Sequence, residues 1–257
     1  MNGTSPRPIL ISVPHASLQV PKEVLGNVAL SEAEIKGYTD LYTDQVYDMK
    51  GYFAVSGKVC RVFVDVNRAP DDIAKEYHMG NDGVVVFTAQ DGRNIYKTQP
   101  TEELMEQLIA AYHDPYHEEL DAVMPKVEFL FDCHSYLPFG PAMKKDAGER
   151  RPDFNIGNRR YSTCNRQQTI FLRDFLEERG FSVGINTPYV GGYVLAHHCH
   201  RRRIPPFLVP GMQIEISQGL YVDSKTLEPI PGKITEMRCL LQEMFDSFYE
   251  RFCTLQA

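Results

Sequence analysis

No stretch of the 257-residue chain approaches the ~18 consecutive apolar residues of a membrane span, so no membrane segment is expected. Met1 to Pro8 lack the basic segment and apolar run of a secretory signal. Positive charge is in deficit: 27 Lys and Arg against 34 Asp and Glu leave a net charge of −7. That balance argues against a general nucleic-acid binder, which carries a basic face. The six cysteines form no CxxC pair and no dense small-scaffold framework, so reduced thiols in a cytoplasmic protein are expected. Internal repeats and low-complexity tracts are also missing, as are a P-loop, a GxGxxG fingerprint and a GxSxG elbow.

What is present is ordinary globular material. At 43% hydrophobic and 24% charged, the chain can bury a substantial core. Apolar runs predict strands over 8–13, 52–56, 59–66, 84–88, 126–132, 181–185 and 212–217. Helices are predicted over 31–37, 43–50, 101–124, 165–179 and 233–252, with Thr101 as a cap and Gly180 as a stop. Alternation of this kind predicts one α/β domain over 1–257, a mostly parallel or mixed sheet flanked by helices. The stretches 67–81 and 137–151, rich in Pro, Gly and Asp, read as loops over a site.

Three strands end on polar groups, where open α/β sheets place their ligands. They are Val13-Pro14-His15, Phe131-Asp132-Cys133-His134-Ser135 and Gln213-Ile214-Glu215-Ile216. Two histidines, a carboxylate and a later glutamate are the inventory of a zinc hydrolase. Strand alternation puts Asp132 and His134 on one side, where Asp132 can hold the second nitrogen of either histidine. A third ligand is sought in Thr39-Asp40-Leu41-Tyr42-Thr43-Asp44: Asp40 is the choice and Asp44 the reserve. Glu215, in the middle of a core-like strand, needs either an ion pair to an arginine or a task such as general base. Arg68, at the end of Asp65-Val66-Asn67-Arg68, is either a carboxylate clamp or a salt-bridge partner of Asp65, Asp71 or Asp72. Gly191-Gly192-Tyr193 lets backbone approach a ligand closely, or is a plain turn.

Two histidine groups read otherwise. His113, His117 and Asp121 have helical spacing, but Asp121 stands where an HExxH motif needs its second histidine, so an amphipathic helix is expected. His197-His198-Cys199-His200 cannot all face one ion from regular structure, so a surface loop or plain packing is expected.

Taken in order, Pro14-His15-Ala16, Thr39-Asp40 leading to Val46-Tyr47-Asp48, Asp65-Val66-Asn67-Arg68-Ala69-Pro70 and Asp132-Cys133-His134-Ser135 resemble the N-formylglutamate amidohydrolase family. Asn155-Ile156-Gly157, Gly191-Gly192-Tyr193 and Gln213-Ile214-Glu215 followed by Tyr221 continue the match. The resemblance implies a fold similar to zinc-dependent exopeptidases and cleavage of an amide on an acidic amino acid. By position it makes His15, Asp40 and His134 the ligands of one zinc per chain, although the same residue types accept other divalent ions. It makes Glu215 the base, and Asn67 and Arg68 the clamp on a small anionic acyl amino acid, with Gly192 and Tyr193 beside it. Asp132, Ser135 and Asp44 become supporting groups. Two positions depart from the family: Ser17 stands where glycine is common and Ala196 where arginine is common, so the Arg201–Arg203 run is a candidate replacement. The competing readings are a deacylase or carboxypeptidase-like hydrolase of another acyl amino acid or short peptide, and a non-catalytic binder of an anionic metabolite. Oligomeric state is not legible.

Overall fold

The computed structural model describes residues 5–73, 83–89, 91–142, 144–204 and 208–253. Its frame is a six-stranded sheet of β1 (Arg7–Val13), β2 (Tyr52–Ser56), β3 (Phe129–Tyr136), β4 (Phe154–Gly157), β5 (Val183–Ile185) and β6 (Gly211–Ser217). The spatial order is β2-β1-β3-β6-β4-β5. β1, β2, β3 and β6 run parallel, while β4 lies antiparallel to β6 and parallel to β5, so the sheet is mixed. Seven α-helices are described: α1 (Glu32–Gly37), α2 (Thr43–Val46), α3 (Glu102–Leu108), α4 (Asp114–Val123), α5 (Arg166–Glu177), α6 (Tyr193–His198) and α7 (Lys233–Phe252).

Every residue of β3 and β6 is buried, because helices cover both faces. On one face Ile9, Ile11, Phe129, Phe131, Met212 and Ile214 meet α7. There Phe248 lies 4.6 Å from the ring of Phe129 and 5.0 Å from that of Phe131. On the other face Leu10 and Leu130 pack against Tyr116 and Leu120 of α4 and Val194 and Leu195 of α6. Two residues further along, that same face turns polar. Ser12 is level with Asp132, Asp132 with Gln213, and His134 with Glu215. Parallel register therefore lines up the polar groups of three strands on one face at their carboxyl ends.

Local chemistry explains the helix ends. Ser31 and Asn165 each form a reciprocal capping box, with Glu34 and Gln168. Thr101 caps α3 through the Leu104 amide. The helix expected over 101–124 is interrupted by a π-helical turn at Ile109–His113. Pro115 offers no N–H to the Ala111 carbonyl and would crowd it, and a wider turn accommodates both effects.

Several expectations are corrected. The apolar runs at 59–66 and 84–88 are not strands. They form turns, tied by the Asp65 amide to the Val84 carbonyl at 2.8 Å, and bury Cys60, Phe63, Val84 and Val85 in a second core with Met105 and Leu108. Burial alone made them apolar. β3 begins and ends later than expected, so Asp132, His134 and Ser135 lie inside the strand. The helix over 43–50 stops at Val46. Part of the 67–81 loop lies outside the described residues. All six cysteines are free. No described helix is long and apolar enough to cross a membrane.

Truncating Phe248 removes a fully buried ring from the seam between α7 and the sheet. F248A is expected to lose about 3–5 kcal/mol of stability, measured as a lowered urea midpoint at constant m-value.

Candidate metal centre and active site

His15 leaves β1 at a turn, His134 comes from β3, and Asp40 comes from the segment just before α2. All three are buried. His134 Nδ1 lies 3.1 Å from His15 Nδ1 and 3.3 Å from Asp40 Oδ2, and His15 Nδ1 lies 3.6 Å from that same oxygen. Tetrahedral zinc with bonds of ~2.0–2.1 Å would separate its ligands by about 3.4 Å. These are the only residues among those described that form such a ligand group.

The second nitrogens decide whether the group fits a cation. His15 Nε2 is 2.8 Å from Asp65 Oδ1, and His134 Nε2 is 2.9 Å from Asp132 Oδ2. Each Nε2 faces a carboxylate, the arrangement that in metal-bound histidines keeps the proton on Nε2. A neutral ring with its proton on Nε2 turns its Nδ1 lone pair inward, and the two rings with Asp40 Oδ2 then offer three acceptors to a cation. Without a cation, an Nδ1–H donates to Asp40 instead.

The carboxylates are held in turn. Asp132 accepts a hydrogen bond from Ser12 Oγ at 2.9 Å and another from Asn67 Nδ2 at 3.1 Å. Arg61 bridges Asp40 at 3.3 Å and Asp65 at 2.8 Å. The Ser135 amide donates to Asp40 Oδ2 at 3.1 Å. Burial opposes ionisation of Asp40, yet the hydrogen bonds of His134 and His15 and the charge of Arg61 hold its carboxyl well below the usual carboxylate range. Burial likewise opposes Asp65, and the charges of His15 and Arg61 outweigh it.

Glu215 is buried beside this group, level with His134 in the β3–β6 register. Its Oε1 accepts from Gln213 Nε2 at 2.6 Å, and Gln213 Oε1 accepts from the Gly192 amide at 2.9 Å. Burial chiefly pushes its carboxyl up to about 7, with His134 and Arg61 opposing and Asp40 adding. A carboxyl poised near neutrality can both take and return a proton.

A cavity of about 840 Å³ opens over these residues. Arg68, Gly192 and Tyr193 line it, and Arg68 Nε stands 4.0 Å from Asp65. Asn67 commits both amide atoms internally: Oδ1 accepts from the Val194 amide at 2.8 Å while Nδ2 reaches Asp132. It fixes the segment that carries Arg68 against the start of α6. A Cβ at Gly192 would lie within 2.5 Å of the Asn67 side chain, so glycine is required there by close approach.

Not every expected residue is in the site. Asp44 is exposed in the first turn of α2 and does not line the cavity, which leaves Asp40 as the carboxylate of the group. Arg201, Arg202 and Arg203 are exposed and outside it too. The run 197–200 is not a loop throughout: His197 and His198 end α6, and His198 is buried against His117, Nε2 to Nδ1 at 2.8 Å. Arg61 and Gln218 (whose Nε2 holds Ser135 Oγ at 3.0 Å) were not singled out by sequence, and Gln213 was placed on the Glu215 face without a role. Arg61 was hidden inside an apolar run that reads as a strand.

The match of the N-formylglutamate amidohydrolase family model spans residues 7–222. The chain belongs to that family. Among solved structures, the N-formylglutamate amidohydrolase of Ralstonia eutropha JMP134 superposes with a TM-score of 0.80 at 22% identity, covering 96% of this chain and 94% of the other. The Agrobacterium tumefaciens gene product Atu2144 gives a TM-score of 0.72 at 17% identity, over 96% and 92% of the two chains. At such identities these two show the shared fold. A search of curated proteins finds no match.

Burial lowers His117 to about 4, the charge of His113 adding, and burial with His117 and His197 lowers His198 to about 3. An unfolded chain takes up both protons near pH 6.5 whereas the folded chain resists them. Stability is therefore expected to fall as pH drops from about 6.5 towards 4. The slope of melting temperature against pH between 6.5 and 5 should be shallower in H198N than in the native chain.

Proposed function

We propose that this protein is a zinc-dependent amidohydrolase that cleaves the linear amide of an N-acyl acidic amino acid of the N-formylglutamate type. The observation that carries it is the convergence of His15 Nδ1, His134 Nδ1 and Asp40 Oδ2 at 3.1–3.6 Å, beside a buried glutamate on the next strand. Family membership supplies the reaction class.

His15, His134 and Asp40 are the residues that would hold the metal. When bound, zinc polarises the amide carbonyl and lowers the pKa of water towards ~7. Asp65 and Asp132 keep the two imidazoles in the tautomer that presents Nδ1. Glu215 takes a proton from the attacking water at a carboxylate oxygen and returns it to the leaving nitrogen. The C–O bond forms, the C–N bond breaks, and a carboxylate and an amine result. Gln213 holds Glu215 in line through Oε1. Arg68 receives a substrate carboxylate at the cavity wall, and Asn67 keeps Arg68 in place by anchoring its segment to α6. Fixed orientation of this kind supplies much of the acceleration.

A second reading, hydrolysis of a larger acyl amino acid or short peptide, is favoured by the 840 Å³ cavity, towards the upper end of small-molecule sites. Turnover on a panel of N-acyl amino acids of increasing size separates the two.

Two substitutions test the assignment. E215Q is expected to retain about one equivalent of metal by elemental analysis while turnover of N-formylglutamate drops by roughly 10²–10⁴. Near-normal turnover would rule out Glu215 as the base. H134A is expected to lose the metal, and full occupancy in that variant would remove His134 from the ligand set.

A further inference from the structure

Of the arginines lining the cavity, Arg61 is ion-paired to Asp40 and Asp65, Arg151 to Asp146, and Arg68 stands near Asp65. Arg159 differs. No carboxylate among the described residues pairs with it. Its anchors are neutral: its amide donates to the Val190 carbonyl at 2.7 Å, and its Nη1 donates to the carbonyls of Gly191 at 3.1 Å and Gly192 at 3.4 Å. Main-chain carbonyls orient a guanidinium without cancelling its charge, and leave its remaining N–H groups for a ligand.

The backbone is arranged for this placement. Arg159 sits in the left-handed region at φ 48°, which an arginine adopts only where the surroundings over-determine it. Gly191 clears the way, since a Cβ there would lie 3.2 Å from Arg159 Cγ. The same Gly191-Gly192 platform supports the base on its other side, through the Gly192 amide, Gln213 and Glu215. Lys145 and Arg150 also line the cavity and, like Arg159, are exposed, but no side-chain hydrogen bond or ion pair among the described residues holds them, so the carbonyl anchors are what set Arg159 apart. Ala196, one turn into α6, contributes an apolar patch to the wall and no charge.

We infer that Arg159 is a specificity-determining residue that receives the second carboxylate of the substrate, Arg68 holding one and Arg159 the other. The substrate class rests on the hydrolase reading above; the recognition of a second carboxylate does not. A planar fork with several free N–H groups matches a carboxylate bidentately, and a neutral amide in its place leaves part of the fork unpaired.

The test compares N-formylglutamate with N-formylglutamine in the metal-loaded native enzyme, R159M and R159K. Methionine keeps the length and the left-handed backbone demand but removes the charge. The ratio of kcat/KM for the two substrates is expected to fall about ten- to a hundredfold in R159M, through KM on the glutamate substrate, and to recover in part in R159K. An unchanged ratio in R159M overturns the assignment. If the native enzyme turns over neither compound, the hydrolase reading fails, and glutarate against butyrate, titrated calorimetrically, then decides on Arg159. A tenfold weaker hold on glutarate alone in R159M supports it, and equal losses for both acids refute it.

Discussion

Two imidazole nitrogens and a carboxylate oxygen converging inside the protein are the constraint around which the rest is arranged. His15 Nδ1, His134 Nδ1 and Asp40 Oδ2 lie 3.1–3.6 Å from one another, close enough to share one cation. Holding them there without one requires every other polar atom on these residues to be satisfied. Asp65 and Asp132 take the imidazole protons, Arg61 spans Asp40 and Asp65, and Ser12 and Asn67 hold Asp132. An unpaired buried charge is strongly destabilising, so this outer ring is as necessary as the three residues it surrounds.

The sheet makes the ring possible by dividing labour between its two faces. The face towards α7 is filled with phenylalanine and isoleucine and carries no chemistry. The opposite face is apolar where α4 and α6 cover it and polar at the carboxyl ends of β1, β3 and β6. Parallel strands in register deliver Asp132, His134, Gln213 and Glu215 to one surface with fixed spacing. α6 completes the arrangement: its first turn docks on Asn67 and presents the Gly192 amide to Gln213. The His15–Asp40–His134 group, Glu215 and the cavity wall thus share one set of hydrogen bonds.

Much of the site was legible because it obeys local rules. A histidine after an apolar strand, an Asp-x-His within a second and a Gln-x-Glu within a third all followed from alternation and burial, and each side chain lies where the pattern put it. The failures also have local causes. Apolar residues at 59–66 and 84–88 mark burial, which turns can provide as well as strands, and periodicity cannot tell them apart in short runs. At 197–200 the sequence left loop and plain packing open, and the packing is set by His117, 81 residues from His198 in the chain.

The sequence by itself determined the α/β class, the three strand ends that carry chemistry and the family resemblance, whereas the antiparallel β4 that makes the sheet mixed was not legible. It also set which residue types were at hand, because these depend on period, propensity and motif order within short windows. Only the tertiary structure decided between Asp40 and Asp44, turned Asn67 inward, brought Arg61 to two carboxylates, and placed Arg159 rather than Arg201–Arg203 at the cavity. Those outcomes depend on which distant segments meet and at what register, and charge pairing in a buried site is settled by contact alone.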